Sequence, residues 1–314
     1  MGKENRTIVT VFILLGFSDY PHLQLLISVT VFLIFLISVL GNFMFLMLVC
    51  ADPHLQKPMY FFLSNLAFLD IYNTSDTLST LLRSLLTGNM FISFSVCMTQ
   101  FYFFVSLTAI ELLLLTAMAY DRYVAICNPL HYVLIMNRRV CILAVSACWM
   151  LGFVVTIPQT IIMSQFSFCR SNKINHFFCD PAALMKLHCS DVLNLEILIL
   201  IEGMFLAVIP SGLTVTSYVY IVSSILKMHS AKGRHKAFST CSSHLIVVIL
   251  FYGTIICLYM RPSSMYSPKQ DKLFSLLYTA LIPMLNPIIY SLRNKEVKQS
   301  LIKLIGTNYR MSIS

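Results

Sequence analysis

The chain has 314 residues, of which 58% are hydrophobic and only 11% charged, and its formal net charge is +9. A soluble domain carries about a quarter charged residues, so this composition excludes an ordinary soluble protein and indicates a membrane protein. Basic nucleic-acid-binding proteins concentrate charge on a soluble surface. Here the basic residues lie between apolar runs, and we expect no nucleic-acid partner.

Seven apolar runs are long enough to cross a membrane as helices, which requires roughly 20 mostly apolar residues. In chain order they are 25–50, 59–82, 95–120, 140–163, 195–226, 237–260 and 272–292. The second is the weakest, because it carries Asp70 and Asp76. The sequence therefore predicts an all-α membrane protein with a seven-transmembrane helix bundle at 25–292, an outer segment at 1–24 and an inner tail at 293–314. Residues 1–20 contain no small-x-small cleavage site, so we expect the first span to be an uncleaved targeting signal.

The distribution of lysine and arginine predicts the orientation of the chain, because these residues favour the cytoplasmic side. With the N-terminus outside, the inner segments hold most of them, including the acid-free cluster at 227–236. Asn5 begins a glycosylation sequon that is useful only outside. These features predict a multi-pass plasma-membrane protein with an outer N-terminus, glycosylated at Asn5.

Four of the ten cysteines are predicted to lie on the outer side. They are Cys97, Cys169, Cys179 and Cys189. An even number in an oxidising compartment suggests two disulfides with three possible pairings. The other six are expected to be small buried residues.

Polar residues from four spans are predicted to share one depth. Glu111 lies ten residues, about 15 Å, above Asp121, and Asp70 lies about 18 Å from the inner start of its span. Asn42 and Asn286 lie roughly 10–14 Å from the same face. Two carboxylates at one depth require a cation such as sodium or a shared proton, although hydrogen bonding between helices is the simpler alternative. A transport pathway is the functional rival, but the chain shows no internal repeat.

Four sequence blocks lie in order along the predicted spans. They are PMYFFLSNLAFLD (58–70), MAYDRYVAICNPLHY (118–132), KAFSTCSSHL (236–245) and PMLNPIIYSLRN (283–294). These blocks resemble the signatures of vertebrate odorant receptors, a rhodopsin-like family of G-protein-coupled receptors. The resemblance extends in order from Gly41 to Asn294 and is closer to the tetrapod-type class than to the fish-like class.

The resemblance implies roles for individual residues. It pairs Cys97 with Cys179 and Cys169 with Cys189. It makes Arg122 a cation that Asp121 restrains at rest and that meets the G protein when the receptor is active. The other residues implied in activation are Tyr123 of the same motif, the swinging tyrosines Tyr218 and Tyr290, and His244, either a switch or a plain hydrogen-bonding partner. Asp70 and Glu111 become an acidic pair that holds sodium, with Asn42 and Asn286 nearby.

The resemblance places the ligand pocket in the outer half of the bundle, between spans three, five and six. Helical spacing assigns to it Phe101, Phe104, Val105 and Thr108 of span three and Tyr252, Ile255, Ile256 and Tyr259 of span six. Each of these residues could instead face lipid or pack in the core. Glu202 of span five could accept a hydrogen bond from a ligand, be neutral, or pair with Gln159 or Tyr259. This mainly apolar lining with a few hydroxyls suits a small, volatile, weakly polar molecule.

The implied function is an odorant receptor that activates a stimulatory G protein and raises cAMP. The alternatives are a non-olfactory chemosensory receptor of the same fold and a transporter coupled to a midplane ion. Metalloprotease, hydrolase and nucleotide-binding motifs are absent from the sequence, so we expect no enzyme activity, and no cofactor apart from the sodium ion considered above. Leu301, Ile302, Leu304 and Ile305 form an apolar edge beside Lys295, Lys298 and Lys303, which predicts a short amphipathic helix on the inner leaflet.

Overall fold

Seven long helices account for most of the described part of the chain. The computed structural model of the protein describes residues 9–17, 21–88, 90–166, 168, 171–187, 193–259, 267–293 and 296–303. The long helices are α1 (Gln24–Ala51), α2 (Pro58–Thr87), α3 (Phe94–Cys127), α4 (Arg138–Val155 and Ile157–Ser164), α5 (Leu193–Gly203, Met204–Val208 and Ile209–Leu226), α6 (Ala231–Tyr259) and α7 (Pro268–Leu276, Leu277–Leu281 and Ile282–Arg293). A shorter helix, α8, covers 296–303. Short helical turns lie at Pro21–Leu23, Pro53–Leu55, Pro129–His131, Tyr132–Ile135 and Pro181–Met185. The predicted seven-helix architecture is confirmed.

The polar residues of α2 make it the exception among these helices. Within the described residues, six helices are long and apolar enough to cross a membrane by hydropathy, and α2 is not among them. It turns its polar side chains inward, so that Asp70, Asn73 and Thr77 are all buried. The helix also continues past the predicted end at 82 to Thr87, where Gly88 takes a φ of 83° and ends it. Apolar length alone therefore underestimates a helix whose polar face is buried against its neighbours.

Two helices widen by one residue per turn just before a proline. The π-helical segments Met204–Val208 and Leu277–Leu281 precede Pro210 and Pro283. A proline lacks the amide hydrogen and clashes with the carbonyl four residues earlier, and a wider turn relieves that clash. In α7 the distorted segment buries Tyr278, Thr279 and Ala280, whereas in α5 only Leu206 and Ala207 of the segment are buried.

The third helix is the central element of the bundle. In its most apolar stretch 67% of the residues are buried, whereas the corresponding figure for α1 and α4 is 28%. It contacts α2, α4, α5 and α6. The outer helices instead expose large apolar side chains, such as Leu25 and Leu143, which lipid would cover.

A small three-stranded sheet lies at the outer end and was not predicted. Strand β1 (Val11–Leu14) pairs antiparallel with β2 (Met90–Ser93) and parallel with β3 (Lys173–Ile174), in the order β2-β1-β3. Phe12 and Leu14 point into an outer apolar cluster with Phe101 and Ile174. Four apolar residues in a row do not distinguish strand from helix, which is why no sequence pattern indicated this sheet.

Candidate functional site

The outer end of α3 is tied to the loop that precedes α5. Cys97 and Cys179 form a disulfide with their Cα atoms 5.6 Å apart. The side-chain oxygen of Gln100 accepts a hydrogen bond from the Cys179 amide at 2.9 Å. The implied Cys97–Cys179 pairing is therefore present. Cys169, Cys189 and Asn5 lie outside the described residues.

The pocket residues predicted on α3 pack against the outer loop and α7. The ring of Phe104 lies 4.6 Å from that of Phe178 and 5.8 Å from that of Tyr278. The hydroxyls of Thr108 and Tyr278 are 2.8 Å apart. Phe101 is fully buried in the outer cluster, and Val105 packs against both this cluster and the main core.

On α6, the structure divides the predicted pocket residues. Tyr252 donates to the Leu112 carbonyl at 2.9 Å and lies 2.9 Å from the Thr116 hydroxyl, so it connects α6 to α3. Ile255 is buried, but Ile256 is 47% exposed. The assignment of Ile256 to the pocket is wrong, because consecutive helical residues point about 100° apart and only Ile255 turns inward. The side chain of Tyr259 lies outside the described residues.

Glu202 on α5 is a buried acid in the outer half of the bundle. It is 7% exposed, and within the described part of the chain its Oε1 atom has no hydrogen-bond partner. A polar atom buried without a partner is costly. Among the predicted pocket residues, Glu202 is therefore the one most suited to accept a hydrogen bond from a ligand.

The midplane residues form two hydrogen-bonded groups. In the first, the amide nitrogen of Asn286 donates to Asp70 at 2.8 Å. In the second, Glu111 accepts from Tyr278 at 3.0 Å and from Asn73 at 3.4 Å. The amide of Asn42 is used to connect α1 to the Pro283 carbonyl of α7, at 2.9 Å.

Asn42, Asn286 and Tyr290 lie around Asp70, and the space between these side chains is too small to admit a water molecule. The Asn286 side-chain oxygen is buried and unpartnered among the described residues. A carboxylate and a free amide oxygen are ligands that a hard cation prefers. In chemistry the donor set on the Asp70 side therefore suits a monovalent cation, which would have to separate these side chains to enter. Glu111 already accepts two hydrogen bonds from protein donors.

At the inner end of α3, Arg122 is held by its neighbour. Its Nε and terminal nitrogen donate to Asp121 Oδ2 at 3.0 and 2.5 Å. Tyr132 donates to the other carboxylate oxygen at 2.8 Å. Burial, together with the Asp121 carboxylate, raises the pKa of Tyr132, so its phenol remains a donor. Because Asp121 is fully buried, both of its carboxylate oxygens need a hydrogen-bonding partner.

The other residues implied in activation lie close to this pair. The Tyr218 hydroxyl is 2.6 Å from the His244 ring nitrogen, which connects α5 to α6. The Tyr290 hydroxyl is buried and unpartnered within the described residues. Tyr123 packs its ring 5.9 Å from that of Tyr220. His244 is thus placed as a hydrogen-bonding partner of one of the two implied swinging tyrosines.

Comparisons with known proteins bear on this geometry. A sequence profile described as "Olfactory receptor" matches residues 31–308. The chain belongs to the olfactory receptor family. Human olfactory receptor 6C4 is 46% identical over 95% of this chain and 96% of its own length. Human olfactory receptor 13F1 is 46% identical over 98% and 97%, and mouse olfactory receptor 5AR1 is 46% identical over 98% and 99%.

Membership of the olfactory receptor family settles the general function. The chain is an odorant receptor that crosses the plasma membrane several times and couples to G proteins. It is not an enzyme. The seven helices and the Cys97–Cys179 disulfide agree with this membership.

Two residues of the candidate site in this olfactory receptor were not predicted from the sequence. Tyr278 connects α7 to Thr108 and Glu111 of α3, and Tyr132 completes the partners of Asp121. Tyr132 is the last residue of the quoted block at 118–132, but only the folded inner loop brings it under Asp121. Tyr278 belongs to none of the four sequence blocks, and only its depth along α7 could have indicated its role.

The tail helix α8 docks on the first inner loop. Glu296 accepts from Lys57 at 2.6 Å and from Tyr60 at 2.8 Å, and Ser300 donates to Asp52 at 2.5 Å. Leu301 packs against the core, while Ile302 is 62% exposed on the side available to a membrane surface. Leu304 and Ile305 of the predicted apolar edge lie outside the described residues.

The outer loop contains a buried histidine, from which we expect receptor stability to depend on pH. His176 is fully buried between Phe177 and Phe178, at ring distances of 4.6 and 4.7 Å, and among the described residues neither ring nitrogen has a partner. Burial lowers the pKa of His176 from 6.5 to about 4, with nearby Asp180 opposing and Lys272 reinforcing the shift. Below pH 6.5 the unfolded loop binds a proton that the folded loop rejects, so stability falls as the pH drops towards 4.

We expect acidification from pH 7 to pH 5 to cost about 2 kcal/mol through this residue, since one pKa unit corresponds to about 1.4 kcal/mol. The measurement is the melting temperature of the purified receptor at the two pH values. His176→Phe, which preserves the ring packing, should reduce the acid-induced drop, whereas replacing the exposed inner-loop residue His229 by asparagine should not. An equal drop in the parent and the His176 variant would remove this explanation.

Proposed function

We propose that this receptor binds a small volatile odorant in the outer half of the bundle and activates a stimulatory G protein, which raises cAMP. The observation that carries the proposal is the restrained Arg122 at the inner end of α3. A guanidinium held by a single carboxylate can leave it, and its N–H groups can then donate hydrogen bonds to a partner protein. Activation then requires the inner ends of α5, α6 and α7 to rearrange around it.

The outer half of the bundle offers an apolar lining with a few polar groups, as a small-molecule site requires. Phe104 and Ile255 supply apolar surface, Thr108 and Tyr252 supply hydroxyls, and Glu202 supplies an acceptor. Tyr252 bonds to α3, so a ligand that contacts it acts on the junction between α3 and α6. A ligand changes the equilibrium only if it binds the active arrangement better, and moving from mostly inactive to mostly active requires about 5.5 kcal/mol.

We propose further that the Asp70 side of the midplane holds a sodium ion in the resting receptor. Asp70 and the free oxygen of Asn286 would be its protein ligands, and Glu111 would remain bonded to Tyr278 and Asn73. An ion there compensates a buried carboxylate, which is otherwise costly in a membrane.

An odorant panel applied to cells that express the chain tests the general proposal. Odorant-dependent cAMP without ion or solute flux supports it. A response that is lost on blocking another G-protein class, with no cAMP, would contradict the stimulatory assignment. Odorant-independent ion flux would favour the transporter alternative.

Replacing Glu202 by glutamine tests the polar anchor of the pocket. We expect odorants that carry a hydroxyl or an amine to lose about tenfold or more in potency, because hydrogen bonds to charged groups contribute about 1.5–3 kcal/mol. Ketones and hydrocarbons of the same length, which cannot donate, should keep their potency. Potencies are read as cAMP dose–response curves, with Glu196→Gln, the same change at an exposed acid of α5, as the matched control. An unchanged response profile would show that Glu202 does not contact the odorant.

A further inference from the structure

A cleft opens between the outer halves of α2 and α3, apart from the pocket described above. Its volume is about 200 Å³. Its rim includes the exposed side chains of Tyr72, Arg83 and Val96. Tyr72 is 14 residues from Pro58, about 21 Å along α2. The cleft therefore lies on the outer surface of the bundle, at the level of the outer lipid leaflet.

An acid lies in this cleft. Asp76 is 18 residues, about 27 Å, along α2 from Pro58, which places it well above the midplane but below the outer end of the helix. Its carboxylate is half-buried and accepts a hydrogen bond from Gln100. Among the described residues no lysine, arginine or histidine nitrogen lies within 4.0 Å of it. Arg83, which also lines the cleft, is seven residues further along α2, a rise of about 10.5 Å along the helix axis.

An acid in a membrane-spanning segment without a cationic partner is costly and usually has a functional reason. Gln100 cannot neutralise the charge of Asp76, because its amide carries no charge. Its side-chain oxygen and nitrogen also bond to Cys179 and Thr80. The partner that best compensates the charge of Asp76 is a cation from outside the chain.

Aromatic rings give the cleft a second preference for a cation. Tyr72 and Phe103 lie with ring centroids 5.6 Å apart and planes tilted by 41°, and both line the cleft together with Asp76. Ring faces attract ammonium groups, and more strongly when water is excluded. The same rings offer apolar surface to an alkyl or aryl tail.

We propose that this cleft is a second ligand site, for a small lipophilic amine in its protonated form. The ammonium group bonds to the Asp76 carboxylate, and the apolar tail lies on Tyr72 and Phe103. Such an amine enters from the outer leaflet. It does not require the interior pocket or any activation step, so the site is independent of odorant signalling.

The test uses the full-length receptor purified in lipid nanodiscs, with hexylamine, 1-hexanol and hexanoate as probes. Binding is read by ligand-observed NMR and by the melting temperature, neither of which depends on signalling. We expect hexylamine to bind, and Asp76→Asn to weaken it by about tenfold or more, because charge-assisted hydrogen bonds are the stronger class. Hexanol, of the same length and without charge, should bind at least about tenfold more weakly.

Ser79→Trp fills the cleft from its exposed rim without altering Asp76, and it should also abolish hexylamine binding. This variant decides the question if Asp76→Asn does not fold. All measurements are made in the Glu202→Gln background, because Glu202 is the other acid to which we expect an amine to bind. Glu196→Gln, which removes an exposed acid of α5, is the control and should leave hexylamine binding intact. Equal binding of hexanol, binding of hexanoate that depends on Arg83, or hexylamine binding that persists in Ser79→Trp would each overturn the proposal.

Discussion

Replacing Arg122 by alanine is expected to abolish the odorant-evoked cAMP response while most of the receptor still reaches the cell surface. The guanidinium is the group that the inner face presents to a G protein once Asp121 releases it. Its removal leaves Asp121 without its cation, but Tyr132 still donates to that carboxylate at 2.8 Å. Because that hydrogen bond remains, we expect the folding cost to stay below the roughly 3–5 kcal/mol typical of breaking a buried pair.

Surface delivery and cAMP are measured on the same cells, with an epitope at the N-terminus for the first. Arg138→Ala is the matched control, because Arg138 is an exposed arginine on the inner side, at the start of α4. It should reduce cAMP by less than about half, in keeping with the small effects of exposed substitutions. A normal cAMP response in the Arg122 variant would refute the role assigned to this residue.

The long-range organisation of the protein was predictable from local sequence. Apolar length predicted seven spans, and counting residues along the spans predicted that polar residues of four helices share one depth. Depth also predicted that Asp70 and Asn286 meet, which they do through a 2.8 Å hydrogen bond. These inferences succeeded because a membrane fixes helix length and direction, so position along the chain converts into depth.

The direction in which a side chain faces was less predictable. Ile255 and Ile256 were both assigned to the pocket, but one faces the interior and the other the lipid. In a membrane both the lipid and the interior of the bundle are apolar, so the hydrophobicity of a residue does not indicate which of the two it faces. Contacts made by loops were missed for a different reason. Tyr132 reaches Asp121, and β1 pairs with β2, through chain paths that no periodic pattern describes.

The close approach of α3 and α4 leads to the second large prediction. Gly152 is buried on α4, and a Cβ atom there would overlap Ile110 Cγ1 and lie 3.0 Å from the Ser106 carbonyl oxygen. Ile110 is fully buried, so it has no free space into which to move. The absence of a side chain at 152 also lets the hydroxyls of Ser106 and Thr156 approach to 2.6 Å.

Gly152→Val should therefore separate α3 from α4 and break the hydrogen bond between the Ser106 and Thr156 hydroxyls. Overpacking costs about 1–3 kcal/mol, and a buried polar group left without its partner adds about 1–3 kcal/mol. Together these are a large part of the 5–15 kcal/mol that typically holds a domain folded. We expect surface delivery to fall to a small fraction of the parent, as measured by flow cytometry of the tagged receptor.

Gly212→Val provides the matched control, because Gly212 lies on α5 and a Cβ atom added to it would meet no neighbouring atom within 4 Å. The same change of residue there should leave delivery near the parent level. Ile110→Ala removes the atom that valine would strike, so adding it to Gly152→Val should restore part of the delivery, even though alone it would cost about 2–5 kcal/mol. If the two changes were simply additive, as for residues that do not touch, the cause of the defect would lie elsewhere than in the contact between α3 and α4.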